Sequence, residues 1–531
     1  MAYSFTLILL SGPIASGKTT LAKDLARQLP AENISTSSLI SAAAGRDLDR
    51  SELQRRGLDA TFQGAGWIIG AVRQITSRSP DRRAVVVDAV RTLEQVRELR
   101  KAGAGIWRIL HVHLRGEVSQ LADRHETRSS DNDTAWDQAM RSPTETATQA
   151  LEEEADVVID TTHVTPEDVA TRVAARVSRL RARGGEYIDV LIGGQWGSEG
   201  KGNLAFFVAP EYDLLVRVGA PNAGHKVCTA EGAVYTHRQL PSGTRATDSP
   251  LLLGIGAVID VEVLMREIAD CEVSADRLAV DPGALVIERS DVQREKGLKH
   301  AIGSTGTGGG AALARRIEQR GIPGAIRTAK DVPELAPYIR DSASALEEAR
   351  ARGGRVFIEG TQGTGLSILH GSFPHVTSRD TTVSTLLAEV GVPPQVLRRV
   401  IVAFRAYPIR VGGESGPMGR EITWDTVARR SGLPADLLRG TEKGSVSGNP
   451  RRVAEFSWTQ LRRSARLNGA TDLALTFADY IDARNQGARR FSQLTDETID
   501  MIHEMESVAG APVSFVSTSF DGRGPIDRRL W

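Results

Sequence analysis

Two glycine-rich segments that each contain a lysine have the residue types needed to bind phosphate. The first reads Gly12-Pro-Ile-Ala-Ser-Gly-Lys-Thr19, and the second reads Gly193-Gly-Gln-Trp-Gly-Ser-Glu-Gly-Lys-Gly202. Each follows an apolar run typical of a buried strand and precedes a segment suited to a helix. Backbone N–H groups of such a loop approach phosphate oxygens, and the lysine adds a positive charge. Both segments therefore predict sites for nucleotide phosphates.

The first segment is a complete GxxxxGK[ST] motif. In this motif the lysine reaches the β- and γ-phosphates, the following hydroxyl binds Mg²⁺, and the glycines permit the turn. A second apolar strand, Ala84–Asp88, ends in an acid that either holds the water shell of Mg²⁺ or caps the next helix. The predicted nucleotide-binding residues are Gly12, Gly17, Lys18, Thr19 and Thr20, and the predicted metal ligands are Thr19 and Asp88.

Strand-like and helical segments alternate around this motif, which indicates an α/β fold. The segment Met1–Arg183 resembles the P-loop nucleoside-monophosphate kinases, and the resemblance rests on this motif and on the alternation. A basic amphipathic stretch ends at Gly184-Gly185, where we place a domain boundary. The predicted division is a first domain over residues 1–183, a linker over 184–187 and a second domain over 188–531.

Composition excludes several classes of protein. The 531 residues contain 66 Lys+Arg and 66 Asp+Glu, so no overall charge favours nucleic acid or an anionic membrane. The two cysteines, Cys228 and Cys271, provide no disulfide framework and fit a reducing compartment. The apolar run Phe5–Leu10 is too short to span a bilayer. These features predict a cytoplasmic protein that binds small anionic ligands and has no membrane or nucleic-acid partner.

Three further motifs follow the second glycine-rich loop. They read Asn222-Ala-Gly-His225, Phe357-Ile-Glu-Gly-Thr-Gln-Gly-Thr364 and His370-Gly-Ser-Phe-Pro-His-Val-Thr-Ser378. In this order the motifs resemble the adenylosuccinate synthetase family over Tyr187–Trp531. Strand-like segments, among them Leu473–Phe477, recur between helical ones, which indicates a second mainly parallel sheet with helices on its faces. The predicted fold is therefore α/β with two P-loop-type domains, each a mainly parallel sheet flanked by helices.

The resemblance implies a ligase reaction. In the family, the γ-phosphate of an NTP passes to O6 of a 6-oxopurine nucleoside monophosphate, and the amine of L-aspartate then displaces that phosphate. Such a site needs phosphate cradles, Mg²⁺, a proton acceptor for N1 and stabilisers of the moving phosphoryl group. By resemblance, Lys201 and His225 act on the phosphoryl group, Gln362 orients O6, and the carbonyl of Gly224 meets Mg²⁺.

The same resemblance implies the ligand-binding residues. Those implied for the NTP are Gly197, Gly200, Gly202 and Asp479. Those implied for the monophosphate and aspartate are Asn222, Ser304, Thr305, Arg320, Thr377, Arg410 and Arg451. Arg451 matches an arginine that grips the aspartate carboxylates, a task suited to a planar bidentate donor. Arg320 matches an arginine that reaches the substrate phosphate of a partner subunit, so the resemblance implies a homodimer.

The chain also departs from the family pattern. Ser198 stands where the family has an aspartate that serves as the base for N1 and as a Mg²⁺ ligand, and a serine hydroxyl fills neither role well. Ser198 is still predicted to be catalytic, with a water held by Ser198 and Glu199 as the acceptor of the N1 proton. Phe477 replaces a lysine of the segment that reads guanine, while Asp479 is kept, so the NTP is ATP or GTP. Asn449 and Thr307 each replace a family arginine.

These departures resemble the phage-type 2-aminoadenylosuccinate synthetases, which use dGMP in place of IMP. Serine is smaller than aspartate and uncharged, so Ser198 would leave room beside N1 for a substituent on C2. The fused kinase-like domain suggests either that the two domains act in succession on one nucleotide or that two separate nucleotide reactions are regulated together. Two alternatives stay open. One is a synthetase domain that only senses nucleotides and regulates the kinase domain, and the other is an ordinary IMP-dependent enzyme.

Overall fold

The computed structural model describes residues 5–29, 31–44, 64–78, 84–103, 107–128, 136–179, 187–351, 354–444 and 450–530. Apart from a few residues at the chain ends, the chain divides into two compact units between Arg183 and Gly184. Residues 184–186 of the predicted linker lie outside the described part, so the linker stays a prediction.

The N-terminal unit is built on a parallel sheet. Its strands are β1 (Phe5–Ser11), β2 (Ala31–Ser35), β3 (Ala84–Asp88), β4 (Trp107–Arg115) and β5 (Val157–Asp160), and their order is β2-β3-β1-β4-β5. Its helices are Lys18–Gln28, Thr36–Ala44, Gly66–Arg78, Leu93–Ala102, Val118–Arg128, Trp136–Met140, Pro143–Gln149, Leu151–Glu154 and Pro166–Arg179. The carboxyl ends of adjacent parallel strands meet at one edge, so the loop after β1 and the acid that ends β3 lie on the same side.

The C-terminal unit contains a larger, mainly parallel sheet and two small antiparallel ones. Its strands are β6 (Ile188–Gly193), β7 (Leu214–Gly219), β8 (His225–Cys228), β9 (Val234–His237), β10 (Leu251–Ile259), β11 (Leu278–Val280), β12 (Leu285–Val286), β13 (Val356–Glu359), β14 (Leu397–Arg405), β15 (Ile409–Val411), β16 (Glu421–Ile422), β17 (Arg451–Ala454), β18 (Asp472–Thr476), β19 (Val513–Val516) and β20 (Ile526–Asp527). The large sheet has the order β11-β10-β7-β13-β6-β14-β18-β19-β20, and within it only the β19–β20 pair is antiparallel among the described strands.

Helices cover both faces of this sheet. The helices of this unit are Lys201–Val208, Val261–Asp270, Arg289–Glu295, Leu298–Ile302, Gly309–Glu318, Ser342–Ala351, Val383–Val390, Trp424–Ser431, Ala435–Thr441, Trp458–Asn468 and Asp496–Ala509. Of these, Trp424–Ser431 and Ala435–Thr441 pack with β15 and β17 of the small sheet. Successive side chains of β6 point to opposite faces of the sheet, because side chains alternate along a strand. Val190 and Ile192 pack in one buried cluster with Leu386, and Leu191 packs in another with Leu204. The central strand is thus buried on both faces, which fixes the loop that follows it.

The predicted α/β class with two mainly parallel sheets is confirmed. Some elements differ from the prediction. The strand expected over Leu473–Phe477 ends at Thr476, because Phe477 adopts a left-handed backbone conformation with φ of 58°. The β8–β9 hairpin and the small sheet β15-β17-β16 were not predicted. In the described part of the chain, no helix has the length and apolar character required to cross a membrane.

Candidate active site

The loop between β6 and helix Lys201–Val208 folds around the side chain of Glu199. This side chain is fully buried, and its Oε1 accepts hydrogen bonds from the backbone N–H groups of Gln195 (3.0 Å) and Gly197 (2.8 Å). Its Oε2 accepts a hydrogen bond from Nζ of Lys201 at 2.6 Å. A buried ion pair therefore holds the predicted lysine and commits Glu199 to the loop, not to a substrate proton.

Ser198 lies exposed at the tip of this loop with φ of 57°. Its glycine neighbours Gly197 and Gly200 also have positive φ, which lets the loop curl with its N–H groups inward. A cation at the tip would meet the neutral hydroxyl of Ser198, because the adjacent carboxylate of Glu199 is already paired with Lys201. No group of three or more His, Cys, Asp or Glu side chains in the described residues could hold a metal ion. The loop by itself is therefore a poor Mg²⁺ site.

Two other predicted motifs pack directly against this loop. A Cβ atom on Gly193 would lie 2.5 Å from Oε2 of Glu199 and 2.7 Å from the carbonyl oxygen of Gln362, so only glycine permits this approach. Nε2 of Gln362 donates to Oδ1 of Asn222 at 2.8 Å. The structure thus brings together the phosphate loop, the segment that begins at Asn222 and the segment that contains Gln362.

His225 at the start of β8 is paired with a carboxylate that the sequence prediction did not assign. Nδ1 of His225 hydrogen-bonds to Oε1 of Glu359, the last residue of β13. Glu359 also accepts from the backbone N–H of Ser242 at 2.7 Å, and Nη1 of Arg217 lies 3.8 Å from its Oε1. All four side chains are buried. Nε2 of His225 is not used by Glu359, so it is the ring nitrogen left for a ligand.

Burial decides the charge state of this histidine. Burial and the nearby Arg217 lower the pKa of His225 to about 4, although Glu359 acts in the opposite direction. Burial would raise the pKa of Glu359, but Arg217, His225 and Ser242 outweigh it and lower that pKa to about 2. At neutral pH, Glu359 is therefore anionic and His225 is neutral, with its proton on Nδ1 facing the carboxylate.

Arg451, predicted to bind aspartate, lies in a second buried charge cluster. Oε1 of Glu442 accepts hydrogen bonds from Nη2 of Arg405 and from the hydroxyl of Tyr480, each at 2.7 Å. Oε2 of Glu442 accepts from Nη1 of Arg451 at 3.0 Å. One carboxylate thus bridges two guanidinium groups. Burial opposes the ionisation of Glu442, but the two arginines outweigh it and lower its pKa to about 2.

The residues predicted to bind the NTP base lie next to this cluster. The guanidinium carbon of Arg405 sits 4.0 Å from the ring centroid of Phe477. Asp479 is buried, and its Oδ1 has no hydrogen-bond partner within the described residues. Burial raises the pKa of Asp479 to about 6. A narrow cleft beside the phosphate loop is lined by Gly200, Leu204, Ala474, Leu475, Thr476, Phe515, Ser517 and Pro525.

The predicted monophosphate loop precedes helix Gly309–Glu318. Oγ of Ser304 accepts from the backbone N–H of Gly306 at 3.2 Å, and Thr305 is partly exposed beside it. The N-terminus of the helix is filled by a carboxylate, because Glu295 accepts from the N–H groups of Gly308 and Gly310 at 2.7 and 2.6 Å. An anion site at the helix end is thus already occupied by the protein itself.

The other predicted substrate residues have separate surroundings. Arg410 is buried, and it donates to the carbonyl oxygens of Pro417 (2.9 Å) and His375 (2.8 Å). Thr377 is partly exposed in the segment that contains His375. Arg320 is exposed and donates to the carbonyl oxygen of Ile317 at 2.5 Å. Its predicted role across a subunit interface, and the homodimer, stay predictions.

In the N-terminal unit, Lys18 bonds to its own loop. Its Nζ donates to the carbonyl oxygens of Gly12 (2.8 Å) and Pro13 (2.7 Å). Burial lowers the pKa of Lys18 to about 8, although Glu145 favours its charge. Oε2 of Glu145 accepts from the backbone N–H of Ile14 at 2.9 Å, so a carboxylate lies at the mouth of the loop.

The predicted metal ligands of this unit fit a divalent cation. Asp88 is buried and its Oδ1 has no hydrogen-bond partner in the described part of the chain, while Thr19 is exposed and Thr20 is partly exposed in the first turn of helix Lys18–Gln28. Carboxylate and hydroxyl oxygens are the ligands that Mg²⁺ prefers. The alternative that Asp88 caps the next helix is wrong, because Thr92 caps it by accepting from the N–H of Gln95.

Comparison with known proteins decides the family. The sequence profile described as adenylosuccinate synthetase matches residues 190–332 and 324–486. An adenylosuccinate synthetase from Pyrococcus horikoshii is 38% identical over 349 residues, which cover 64% of this chain and 98% of the relative. The chain belongs to the adenylosuccinate synthetase family.

Solved structures agree with this assignment. The succinoaminodeoxyadenylate synthetase of cyanophage S-2L, bound to dGMP and dATP, is 27% identical with a TM-score of 0.55, over 65% of this chain and 96% of that one. The adenylosuccinate synthetase of Plasmodium falciparum shares the fold at 20% identity and a TM-score of 0.54, over 65% and 100% of the two chains. A profile described as an AAA domain matches residues 7–115, so a P-loop kinase-like domain precedes the synthetase domain.

The chain departs from the adenylosuccinate synthetase pattern at several positions. The structure explains some of these departures and leaves others unexplained. A left-handed φ of 57° is adopted more readily by aspartate or asparagine than by serine. The backbone conformation therefore does not explain why serine replaces aspartate at position 198. Phe477 fills its position by stacking with Arg405. Thr307 lies in the glycine-rich loop Ser304–Gly310, next to Gly308, whose N–H donates to Glu295, and nothing described explains its replacement of arginine. Asn449 lies outside the described residues.

Sequence reasoning missed the partners that hold the site residues in place. Glu359 lies inside a motif quoted for Gln362, and Glu442 lies in a stretch without a motif. A signal was present for Glu359, since an acid that ends an apolar strand points to the ligand-binding edge of a parallel sheet. No local signal marked Glu442, Arg405 or Arg217, because each acts through partners distant in sequence.

Proposed function

We propose that the synthetase domain joins L-aspartate to C6 of a 2-aminopurine nucleoside monophosphate, GMP or dGMP, with hydrolysis of an NTP. The observation that carries this choice is Ser198, a small neutral residue at the exposed loop tip where the family has a carboxylate. The cyanophage synthetase bound to dGMP supports it. The ligase type rests on family membership, and the choice of purine is the proposal.

The reaction has two steps. The bond from the γ-phosphorus to the bridging oxygen of the NTP breaks as a bond to O6 forms, N1 loses its proton, and an NDP leaves. The amine of aspartate then attacks C6 and releases a proton to water, the C6–O6 bond breaks, and inorganic phosphate leaves with the oxygen. Mg²⁺ bound with the NTP would neutralise charge on the phosphates.

The buried carboxylates of Glu199 and Glu359 hold in place the two side chains that act on the phosphoryl group, Lys201 and His225. Lys201 is fixed by Glu199 beside loop N–H groups that can meet phosphate oxygens. A phosphoryl group near Nε2 of His225 raises the pKa of that ring, because a negative charge favours imidazolium. Glu359 holds the proton on Nδ1, so the added proton goes to Nε2, where it can donate to the phosphoryl oxygen. The remaining requirement, a base for N1, falls to water beside the Ser198 hydroxyl.

We also propose the roles of the remaining predicted residues. Asp479 presents a buried oxygen without a protein partner, which suits an N–H group of the NTP base, and both guanine and adenine offer one. Gly224 supplies a carbonyl for the nucleotide-bound Mg²⁺, and Arg320 reaches the monophosphate of a second subunit. The domains divide at residues 183 and 184, in line with the two compact units.

For the N-terminal domain we propose nucleotide kinase activity on the ligase product or a related monophosphate. The support is the lysine loop together with the unpaired oxygen of Asp88. A nucleotide sensor without catalysis would not need the set formed by Lys201, His225 and Arg451. Each of the three is fixed by its own buried carboxylate, which favours the ligase over the sensor.

The test is phosphate release by the full chain with L-aspartate, Mg²⁺ and ATP or GTP, with IMP, GMP or dGMP as acceptor and mass detection of the adduct. An adduct with GMP or dGMP and little with IMP is expected. Replacement of Ser198 by Asp should shift the preference toward IMP. An adduct with IMP alone would refute the 2-aminopurine assignment, and tight nucleotide binding without any adduct would favour the sensor.

A further inference from the structure

Gln362 is held by a series of buried hydrogen bonds that begins at an arginine. Nη1 of Arg379 lies 3.3 Å from Oγ1 of Thr361, to which it donates. Oγ1 of Thr361 donates to Oε1 of Gln362 at 2.7 Å. Nε2 of Gln362 donates to Oδ1 of Asn222 at 2.8 Å. Arg379, Thr361 and Gln362 are 8%, 4% and 8% exposed, so water competes little for these bonds.

The charge on Arg379 fixes the direction of the series. A guanidinium group donates and never accepts, so Thr361 must offer it a lone pair. A hydroxyl has one hydrogen, and that hydrogen is then free to donate to Oε1 of Gln362. Glu389 pairs with Nη2 of Arg379 and keeps this arginine in the buried site. The amide oxygen of Gln362 is therefore turned toward Thr361.

The reversed amide would fit poorly. Rotation of the amide by half a turn would place Nε2 of Gln362 against Oγ1 of Thr361, which already accepts from Arg379. The hydroxyl hydrogen of Thr361 would then lack its acceptor, and the amide of Asn222 would have to rotate as well to donate to the oxygen of Gln362. A buried polar group left unpaired is costly, so the observed orientation is strongly favoured. In it, Nε2 has a second hydrogen that is not used by Asn222.

We propose that Thr361 and Arg379 are positioning residues that make the site select 6-oxopurine over 6-aminopurine nucleotides. They do so by holding an N–H group of Gln362 toward position 6 of the base. The inference rests on the proposed function and on the role that the family resemblance implies for Gln362, which is to orient O6 of the base. A 6-oxo group accepts this hydrogen bond, whereas a 6-amino group presents its own hydrogens and is repelled. The same orientation disfavours the ligation product, which carries nitrogen at C6.

The test is the ratio of affinities of the full chain for dGMP and for its 6-amino counterpart, 2-amino-2′-deoxyadenosine monophosphate, measured by calorimetry. Wild-type protein should prefer dGMP by about 10²-fold or more, because a site built to donate rejects a ligand that cannot accept. Thr361→Val removes the hydroxyl at nearly constant volume and frees the amide to rotate. We expect the ratio to fall at least tenfold, chiefly through tighter binding of the 6-amino nucleotide.

Three comparisons separate positioning from loss of structure. Thr361→Ser keeps a hydroxyl and should restore the ratio. Thr361→Ala also lacks the hydroxyl, and we expect the same ratio as for Thr361→Val. The alanine variant serves as the second hydroxyl deletion if the valine disturbs packing. Thr244→Val is the matched control, because Thr244 is a buried threonine whose hydroxyl donates only to the carbonyl of Pro241 at 2.6 Å, and it should leave the ratio unchanged.

The outcomes distinguish this inference from the proposed function. A wild-type ratio retained by folded Thr361→Val and Thr361→Ala would overturn the inference while leaving ligation intact. A wild-type chain that forms no adduct with any 6-oxopurine nucleotide would overturn the proposed function. A ratio lowered by the two hydroxyl deletions and restored by Thr361→Ser would support the positioning role, since a structural defect alone would not favour the 6-amino ligand.

Discussion

The carboxylate of Glu359 accepts a hydrogen bond from Nδ1 of His225, and the two residues lie 134 positions apart in the chain. Glu359 ends β13 in the middle of the large sheet, and His225 begins the β8–β9 hairpin. The bond fixes which ring nitrogen carries the proton at neutral pH. It also places a negative charge where it stabilises the imidazolium that forms when a phosphoryl group binds.

Glu359→Gln is expected to lower kcat for ligation by about 10²-fold, with changes of only a few-fold in the KM values of the nucleotides. The amide keeps the shape but removes the charge that supports the imidazolium. The measurement is steady-state phosphate release with adduct detection.

Glu267→Gln is the matched control for this loss of a buried carboxylate. Glu267 accepts from the backbone N–H groups of Arg238 (2.6 Å) and Leu240 (2.8 Å), and no histidine in the described part of the chain bonds to it. Its replacement should affect the free energy of unfolding more than kcat. An equal fall of kcat in both variants would show that the effect of Glu359→Gln is structural.

The buried strands and both phosphate loops could be predicted from sequence, because their signals are local. The apolar run before Gly193 and the glycine–lysine pattern after it lie within about fifteen residues, and the structure places β6 and the loop as expected. The bond from Thr361 to Gln362 is local too, but its direction depends on Arg379, eighteen positions away. Glu442 bridges Arg405 and Arg451 through a fold that brings β14 and β17 together, and no spacing in the sequence encodes that.

The two loop lysines are expected to respond differently to replacement by methionine. Lys201→Met leaves the carboxylate of Glu199 buried without its cation, so it should lower the free energy of unfolding by about 3–5 kcal/mol as well as abolish ligation. Lys18→Met breaks only bonds to the carbonyls of Gly12 and Pro13, so it should abolish kinase activity at little cost in stability. Denaturant unfolding and the two activity assays measure both effects.

A double variant controls for the ion pair. Glu199→Gln combined with Lys201→Met removes both charges, so it should recover stability relative to Lys201→Met without recovering ligation. Loss of ligation in Lys18→Met would contradict the assignment of this lysine to the kinase domain alone.

His237 is expected to make stability depend on pH. It is fully buried, neither ring nitrogen has a hydrogen-bond partner within the described residues, and burial together with Arg217 lowers its pKa to about 3. The unfolded chain, with a pKa near 6.5, binds more protons between pH 6.5 and 3, so the free energy of unfolding falls as pH falls through that window. The pKa of His225, lowered to about 4, acts in the same direction.

His237→Phe removes this proton uptake. We compare the free energy of unfolding of the variant with that of wild type at each pH. The difference should be about 2 kcal/mol more favourable to the variant at pH 5 than at pH 8, because about 1.5 pH units of the window lie above pH 5. Urea unfolding at both pH values gives this difference. The same pH dependence in variant and wild type would show that His237 does not titrate on unfolding.

Glu442→Gln is expected to raise the KM for L-aspartate by at least tenfold. Glu442 lies between Arg405 and Arg451, and without its charge the two guanidinium groups repel each other. The Arg451 side chain is 13% exposed and that of Arg405 is 0% exposed, so Arg451 is the one that can turn toward solvent and leave the aspartate site. Glu455→Gln is the control, because Glu455 forms a similar two-contact pair with Arg430 at the surface, with both distances 2.9 Å. A KM for aspartate that stays at the wild-type value in folded Glu442→Gln would mean that Arg451 binds aspartate without the help of Glu442, or does not bind it.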